Sequence, residues 1–265
     1  MILSNMNKWY KEDLAFIHDD GFRDFALKSA PGILEILAEN KIHDGLVVDL
    51  GCGSGLWAQE LTKADYHVLG VDISEDMLNI ARTRVPNAEF RIDSLFKTNI
   101  PPCNAVTSIG ECLNYLFDPN SDRQTLVQLF HRVYNALTPG GVFIFDILEK
   151  GQVAQGTTIK GFTQGKDWVV LVEKEEDQEQ ITLTRRITSF RKVGEHYRRS
   201  DEVHHVRLYE ATAIANELSG VGFQVETTHS YGQFLLSKGH VAFIARKPVG
   251  VAVKMSSKAL HWAKI

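Results

Sequence analysis

Three glycines at alternate positions follow a carboxylate in Asp49-Leu50-Gly51-Cys52-Gly53-Ser54-Gly55. The apolar run Leu46-Val47-Val48 before them reads as a buried parallel strand, and the apolar periodic segment after them reads as a helix. Strand, tight glycine turn and helix N-terminus bring backbone N–H groups against a ligand, because glycine has no Cβ to hold the ligand off. The spacing is G-x-G-x-G, and Leu56 stands where the third glycine of a dinucleotide-binding G-x-G-x-x-G would fall. Asp49 would repel a pyrophosphate and would hold a cationic amine. Asp72, at the end of the next apolar run, suits the two hydroxyls of a ribose. These residue types select a nucleoside-like ligand that carries positive charge.

Such groups need elements to position them. Residues 8–40 read as helical, with His18-Asp19-Asp20-Gly21 as a break and Pro31 as a new helix start or a kink. Strands are expected over 46–50, 67–72, 88–92, 105–109 and 142–145, alternating with helices over 56–64, 75–84 and 122–137. Each strand ends near an acid: Asp49, Asp72, Asp93, Glu111 and Asp146. Alternating strands and helices mean a parallel sheet covered on both faces, with ligands at the carboxyl ends of its strands. After Asp146 the pattern changes to two or three β-segments over 160–208, an antiparallel insertion without helices. Helix returns over 209–219, followed by strands over 223–227 and 240–245. The expected division is a helical cap (1–45), a ligand-binding core (46–150), a β insertion on the substrate side (151–208), a helix and strand pair completing the core (209–247) and a tail (248–265).

The run Val47-Val48-Asp49-Leu50-Gly51-Cys52-Gly53-Ser54-Gly55 resembles the first motif of the class I S-adenosylmethionine-dependent methyltransferases, and Gly70-Val71-Asp72-Ile73-Ser74 resembles their second. Ser74-Glu75-Asp76-Met77-Leu78 is similar to the helix start that follows, and Ala136-Leu137-Thr138-Pro139-Gly140-Gly141 to the loop before the fifth strand. The likeness covers roughly residues 30–147, and the C-terminal helix and strand pair also fit. It implies a Rossmann-like three-layer α/β sandwich. The sheet would be seven-stranded and mostly parallel with an antiparallel last strand, and a small antiparallel β insertion would be added. It implies S-adenosylmethionine as methyl donor, S-adenosylhomocysteine as product, and in-line transfer to a nitrogen or oxygen of a small molecule.

By the same resemblance Asp49, Gly51, Cys52, Gly53 and Gly55 contact the methionine end, and Asp72 binds the ribose. Ile73 and Met77 flank the adenine, Asp93 with Ser94 and Leu95 holds its amine, and Gly110 lies where the fourth strand faces the methyl group. Two other readings stand beside this one. A non-catalytic nucleoside-binding or regulatory protein could share the fold, and an NAD(P)-dependent oxidoreductase is disfavoured by the glycine spacing.

The acceptor side is less legible. Glu111, Asn114 and Tyr115 are the polar groups after the fourth strand. The carboxylate could take a proton from a nucleophile, cap the following helix or pair with an arginine. Tyr10 and His18 in the N-terminal segment, His205 and Arg207 in the insertion, and Tyr231 are the further candidates for substrate contact. No metal is expected, because no histidine or cysteine partners stand at ligand spacing. A formal charge of −4 without basic stripes argues against a nucleic-acid partner. No apolar run reaches the roughly 18–20 residues of a membrane span, and the first residues lack the pattern of a secretory signal. Three cysteines without C-x-x-C spacing read as reduced thiols in a cytoplasmic protein, monomeric or homodimeric.

Overall fold

The computed structural model describes residues 9–119 and 121–249. The expectations for residues 1–8 and for the tail beyond Val249 lie outside them. The chain opens with α1 (Glu12–Gly21), which runs through the expected break at residues 18–21. Tertiary partners hold this turn helical. Asp19 pairs with Arg84 at 2.8 Å, and Asp20 accepts a hydrogen bond from the Trp168 indole at 2.7 Å. The break falls instead at Phe22 and Arg23, before α2 (Asp24–Glu39).

Pro31 lies inside α2 rather than at a helix start. A proline there costs about 3 kcal/mol, and burial of Ala30, Ile33, Ile36 and Leu37 offsets it. The neighbouring Gly32 lets α2 touch the backbone near Tyr231, where a Cβ would stand 2.2 Å from the Tyr231 carbonyl carbon. Gly32→Ala is therefore expected to lower the melting temperature. Overpacking of about 1–3 kcal/mol corresponds to roughly 2–12 °C in a thermal melt, and an unchanged melt would contradict this contact.

The core then alternates as expected: β1 (Leu46–Leu50), α3 (Leu56–Lys63), β2 (His67–Asp72), α4 (Glu75–Arg84), β3 (Glu89–Ile92), β4 (Cys103–Ser108), a single 3-10 turn (Cys112–Asn114), α5 (Arg123–Ala136) and β5 (Leu137–Leu148). β5 is longer than the expected 142–145, because the Thr138-Pro139-Gly140-Gly141 loop is drawn into the strand as an irregularity. The register with β4 jumps there from Cys103–Leu137 to Ala105–Val142. The insertion forms four strands, one more than the sequence suggests: β6 (Ile159–Gln164), β7 (Trp168–Asp177), β8 (Thr182–Val193) and β9 (His196–Arg207). After it come α6 (Ala211–Val221), β10 (Gln224–Thr228), the two-residue strands β11 (Ser230–Tyr231) and β12 (Phe234–Leu235), and β13 (His240–Arg246).

The large sheet has the order β10-β13-β5-β4-β1-β2-β3, with β13 antiparallel to both its neighbours and the remaining pairs parallel. This is the mostly parallel, seven-stranded sheet with an antiparallel last strand that the motifs imply. One face packs Val48, Val106, Phe143 and Phe145 against Phe130 of α5 and Leu218 of α6. The other packs Val47, Ala105 and Ile144 against Ile33, Leu37 and Leu61 of α2 and α3. Chain order reverses between β1 and β4, and a crevice at the carboxyl ends of an open parallel sheet opens at such a switch. The four-stranded antiparallel sheet of β6–β9 lies over that edge. It is held to α1 by Leu14 and Ile17 against Trp168 and Val170, and to the end of β5 by Leu148 against Leu183 and Val206.

Candidate functional site

A cavity of about 470 Å³ opens at the carboxyl ends of β1, β2, β3 and β4. Its floor is the glycine turn. Gly51 and Gly53 take φ of +81° and +51°, a left-handed backbone that side-chain residues rarely adopt. The Gly51 N–H donates to the Val71 carbonyl at 2.7 Å, which locks the turn to β2. The Gly53 N–H donates to Asp72 Oδ2 at 2.8 Å, and the Ser74 N–H to Asp72 Oδ1 at 2.8 Å. Ser74 then caps α4 through Met77 N at 3.2 Å. Asp72 is thus oriented by the two backbone segments that flank it and keeps further lone pairs for a ligand.

Asp49 is buried at the same floor. Its Oδ1 accepts from Thr107 Oγ1 at 2.8 Å, and Thr107 in turn accepts from the Trp57 indole at 3.1 Å. Burial pushes the Asp49 carboxyl up to about 7, against the Thr107 bond and with help from the Asp72 charge. A buried acid in that state favours a cation beside it. Burial also pushes the thiols of Cys52 and Cys112 well up, so neither is a ready nucleophile.

The end of β4 is shaped by a second buried acid. Gly110 and Glu111 are both left-handed, with φ of +91° and +56°. Asp146 holds them there, accepting from Gly110 N at 2.8 Å, Glu111 N at 2.7 Å and the Tyr231 hydroxyl at 3.1 Å. Burial raises the Asp146 carboxyl to about 6 in spite of these donors. This strained turn carries the Glu111 carboxylate into the cavity wall. There it accepts from Arg185 Nη1 and from the Tyr115 hydroxyl at 3.2 Å, and meets His240 Nε2 at 3.2 Å. Burial opposes ionisation of Glu111, but Arg185 and His240 prevail and hold its carboxyl at about 2. The same carboxylate raises His240, against burial.

The N-terminal segment closes the other side. Glu202 accepts from the backbone N–H groups of Tyr10 and Lys11 at 2.9 Å each and pairs with His204 at 2.8 Å. Ser74 Oγ donates to the Tyr10 carbonyl at 2.9 Å, so this segment is tied beside Asp72 as well. The Tyr10 and Tyr115 hydroxyls meet at 3.1 Å. His18 also lines the cavity, and burial lowers its imidazole to about 4, which keeps it neutral.

Most of the sequence-derived residues converge on this cavity. Asp49, Gly51, Cys52, Gly53, Asp72 and Ile73 line it, and so do Met77, Asp93, Ser94, Leu95 and Gly110. On the acceptor side Tyr10, His18, Glu111 and Tyr115 are part of the wall.

Others are corrected. Gly55 starts α3 beside Ala81 and is not part of the lining. Asn114 is buried and braces the fold, bonding both the N–H and the carbonyl of Leu148 and the carbonyl of Arg207. Tyr231 is buried and bonds Asp146. His205 faces outward and meets Thr184, and Arg207 donates to the Ser121 carbonyl. Strand parity explains these two: His204 and Val206 take the inward face of β9, which places His205 and Arg207 opposite. Glu111 caps no helix and pairs with an arginine, and a carboxylate so acidic is a poor proton acceptor.

Arg185, Lys174 and His240 also line the cavity, beyond the residues that the motifs indicate. A signal for Arg185 existed, since it alternates with Leu183 and Ile187 on one face of β8. His240 starts the antiparallel strand, so its N-terminal end falls at the carboxyl edge, opposite Leu148 of β5.

A sheet reversing at β1 and β4, a left-handed glycine turn and acids anchored at adjacent strand ends define a nucleoside-binding α/β protein. Residues 47–141 match the family described as a methyltransferase domain. The chain is 26% identical over 187 residues to YqeM of Bacillus subtilis (strain 168), a protein that is a methyltransferase by name; the match covers 68% of this chain and 74% of that one. A solved structure, an S-adenosylmethionine-dependent methyltransferase from Clostridium acetobutylicum ATCC 824, superposes with a TM-score of 0.74 at 24% identity, covering 88% of this chain and 97% of the other. Shorter likenesses reach a ubiquinone biosynthesis O-methyltransferase of Hydrogenovibrio crunogenus, 29% over 116 residues, 41% of this chain and 45% of that relative. Another is the 18S rRNA (guanine(1575)-N(7))-methyltransferase of Saccharomyces cerevisiae, 29% over 132 residues, 45% of this chain and 48% of that relative. Residues 47–141 are a methyltransferase domain, and the chain resembles the class I S-adenosylmethionine-dependent methyltransferases in fold and motifs. It is an enzyme of that class, and its methyl donor is S-adenosylmethionine. Among the described residues no cluster suited to a metal ion and no helix long and apolar enough to cross a membrane are found.

Proposed function

We propose that this enzyme methylates a nitrogen or oxygen of a small molecule held inside the cavity, next to the donor. The observation that carries the reading is a concave site walled on two sides. Tyr10 and α1 are tied down over it by Glu202 and Ser74, and the insertion supplies the facing wall. A concave, largely apolar cavity suits a compact acceptor better than a polymer, and the net charge of −4 offers a nucleic acid no general attraction. The likeness to a ubiquinone biosynthesis O-methyltransferase favours the same reading.

The residues present suit the donor. A buried Asp49 with a raised pKa fits an ammonium group, and Asp72 fits a ribose diol. Ile73 and Met77 would flank the adenine, with Asp93, Ser94 and Leu95 toward its amine. When bound, S-adenosylmethionine supplies an activated methyl group on a sulfur that leaves as a neutral thioether, so in-line displacement by a nucleophile suffices. The protein's part is alignment and exclusion of water, an effect on the order of 7–11 kcal/mol when geometry is well held. Tyr10 and Tyr115, through their hydroxyl contact, orient the acceptor between the glycine turn and Glu111. Glu111 acts as a positioning residue that fixes Arg185, Tyr115 and His240.

Incubation with methyl-labelled S-adenosylmethionine and a fractionated cell extract tests the reading. Label is expected in the low-molecular-mass fraction. Label confined to RNA would overturn the small-molecule acceptor, and no transfer to any fraction would favour a nucleoside-binding role without catalysis.

A further inference from the structure

The inward face of the small sheet carries a charge pattern that alignment of the methyl donor leaves unused. Along β7, Val170, Val172 and Lys174 share that face; along β8, Arg185 and Ile187 do. The register sets Val172 opposite Ile187 and Lys174 opposite Arg185. An apolar pair is followed by a cationic pair on the cavity wall, and like charges directly opposite on neighbouring strands repel.

No carboxylate near this pair is left over. Glu111 is committed to Arg185, Tyr115 and His240. Glu176, the next residue on the same face of β7, accepts the backbone N–H groups of Gly151, Gln152 and Val153. Glu202 serves Tyr10, Lys11 and His204, which lies beside Arg185 on β9. Asp118, also in the lining, pairs with Lys97 at 2.9 Å. The Lys174 ammonium makes no hydrogen bond or ion pair among the described residues, and Arg185 engages Glu111 and Tyr115 through Nη1 alone. Lys174 is exposed at the rim of the cavity, and the desolvation it does undergo, with the neighbouring Arg185, holds its ammonium below its usual range, against the pull of Glu111. A negatively charged partner would relieve both effects.

We infer that the methyl acceptor carries an anionic oxygen group, a carboxylate or a phosphate ester, on an apolar body, and that Lys174 with Arg185 docks that group at the cavity mouth. The inference rests on the reading that donor and acceptor share this cavity. The body packs on the apolar lining that Val170, Val172 and Ile187 form together with Leu14 and Phe22. The charge pattern then divides the cavity: acids face the cationic donor, and bases face the acceptor.

Calorimetry on the full chain tests this in two steps. S-adenosylhomocysteine is titrated first; failure to bind would overturn the shared-cavity reading and the inference with it. The loaded protein is then titrated with benzoate, phenyl phosphate and neutral benzamide at millimolar concentrations. At least one anion is expected to bind about tenfold or more tightly than benzamide, and which one it is separates a carboxylate from a phosphate ester. Lys174→Gln is expected to weaken that anion about tenfold while leaving S-adenosylhomocysteine affinity unchanged. With the nucleoside bound, equal binding of all three probes, no anion binding, or a K174Q protein that holds the anion as well as the parent would each overturn the inference alone.

Discussion

Replacing Asp72 by alanine is expected to weaken S-adenosylhomocysteine binding by about 10²–10⁴-fold, measured by calorimetry. The size follows from two hydrogen bonds between ribose hydroxyls and an ionised carboxylate, each contributing roughly 1.5–3 kcal/mol. The carboxylate is pre-oriented before any ligand arrives, because Gly53 N–H and Ser74 N–H hold one oxygen each. Alanine removes the ligand's acceptor and also frees the Gly53 N–H, so the glycine turn loosens together with the ribose site. Asp72→Asn separates the two effects. It keeps one acceptor oxygen and is expected to lose only about tenfold. An Asp72→Ala protein with an unaltered melt and unaltered affinity would remove Asp72 from the nucleoside site.

The second large effect concerns stability. Glu111→Gln leaves the Arg185 and His240 side chains facing each other without the carboxylate that joins them. Removing one member of a buried charge cluster costs roughly 3–5 kcal/mol, because the remaining charges stay buried and uncompensated. For a chain of this size that corresponds to about 6–20 °C in melting temperature near neutral pH. The pH dependence gives the sign. The Glu111 carboxyl is held at about 2 in the folded protein against an ordinary value of 4.5. A depressed carboxyl contributes stability that is fully present above the ordinary value and is lost as pH falls toward the folded value. The gap between the parent protein and Glu111→Gln should therefore be wide above pH 4.5 and shrink as pH falls toward 2. Melts across that window check it, and a gap that does not change with pH would show that Glu111 acts by packing alone. Methyl transfer should fall in the variant as well, since Arg185 and Tyr115 lose their common anchor.

The two halves of the site differ in how they are encoded. Asp49, the glycine turn and Asp72 lie within 24 residues of chain, numbered 49 to 72. An apolar run ending on an acid, glycines that permit a left-handed turn, and a serine that caps the next helix are local instructions. They can be read without knowing where any distant residue lies. The Pro31 turn, the extra strand β6 and the continuous α1 were not legible in the same way. In the two helices, tertiary contacts such as Asp20 with Trp168 outweigh local propensity, and β6 forms by backbone pairing along the edge of β7.

By itself the sequence determined the parallel α/β core, its switch point and the chemistry of the donor: a cationic, ribose-bearing nucleoside on a glycine turn. The tertiary structure alone decided the acceptor wall. Tyr10, Glu111, Lys174, Arg185 and His240 come from five separated segments, and only the topology brings them to one cavity. It also decided which of two adjacent histidines turns inward, His204 rather than His205, because the register of β9 against β8 sets parity. The physical reason is the range of the interactions. Turn geometry and helix capping act between neighbours in the chain, whereas the Glu111, Arg185 and His240 cluster exists only after residues 74 and 129 positions from Glu111 have been folded against it.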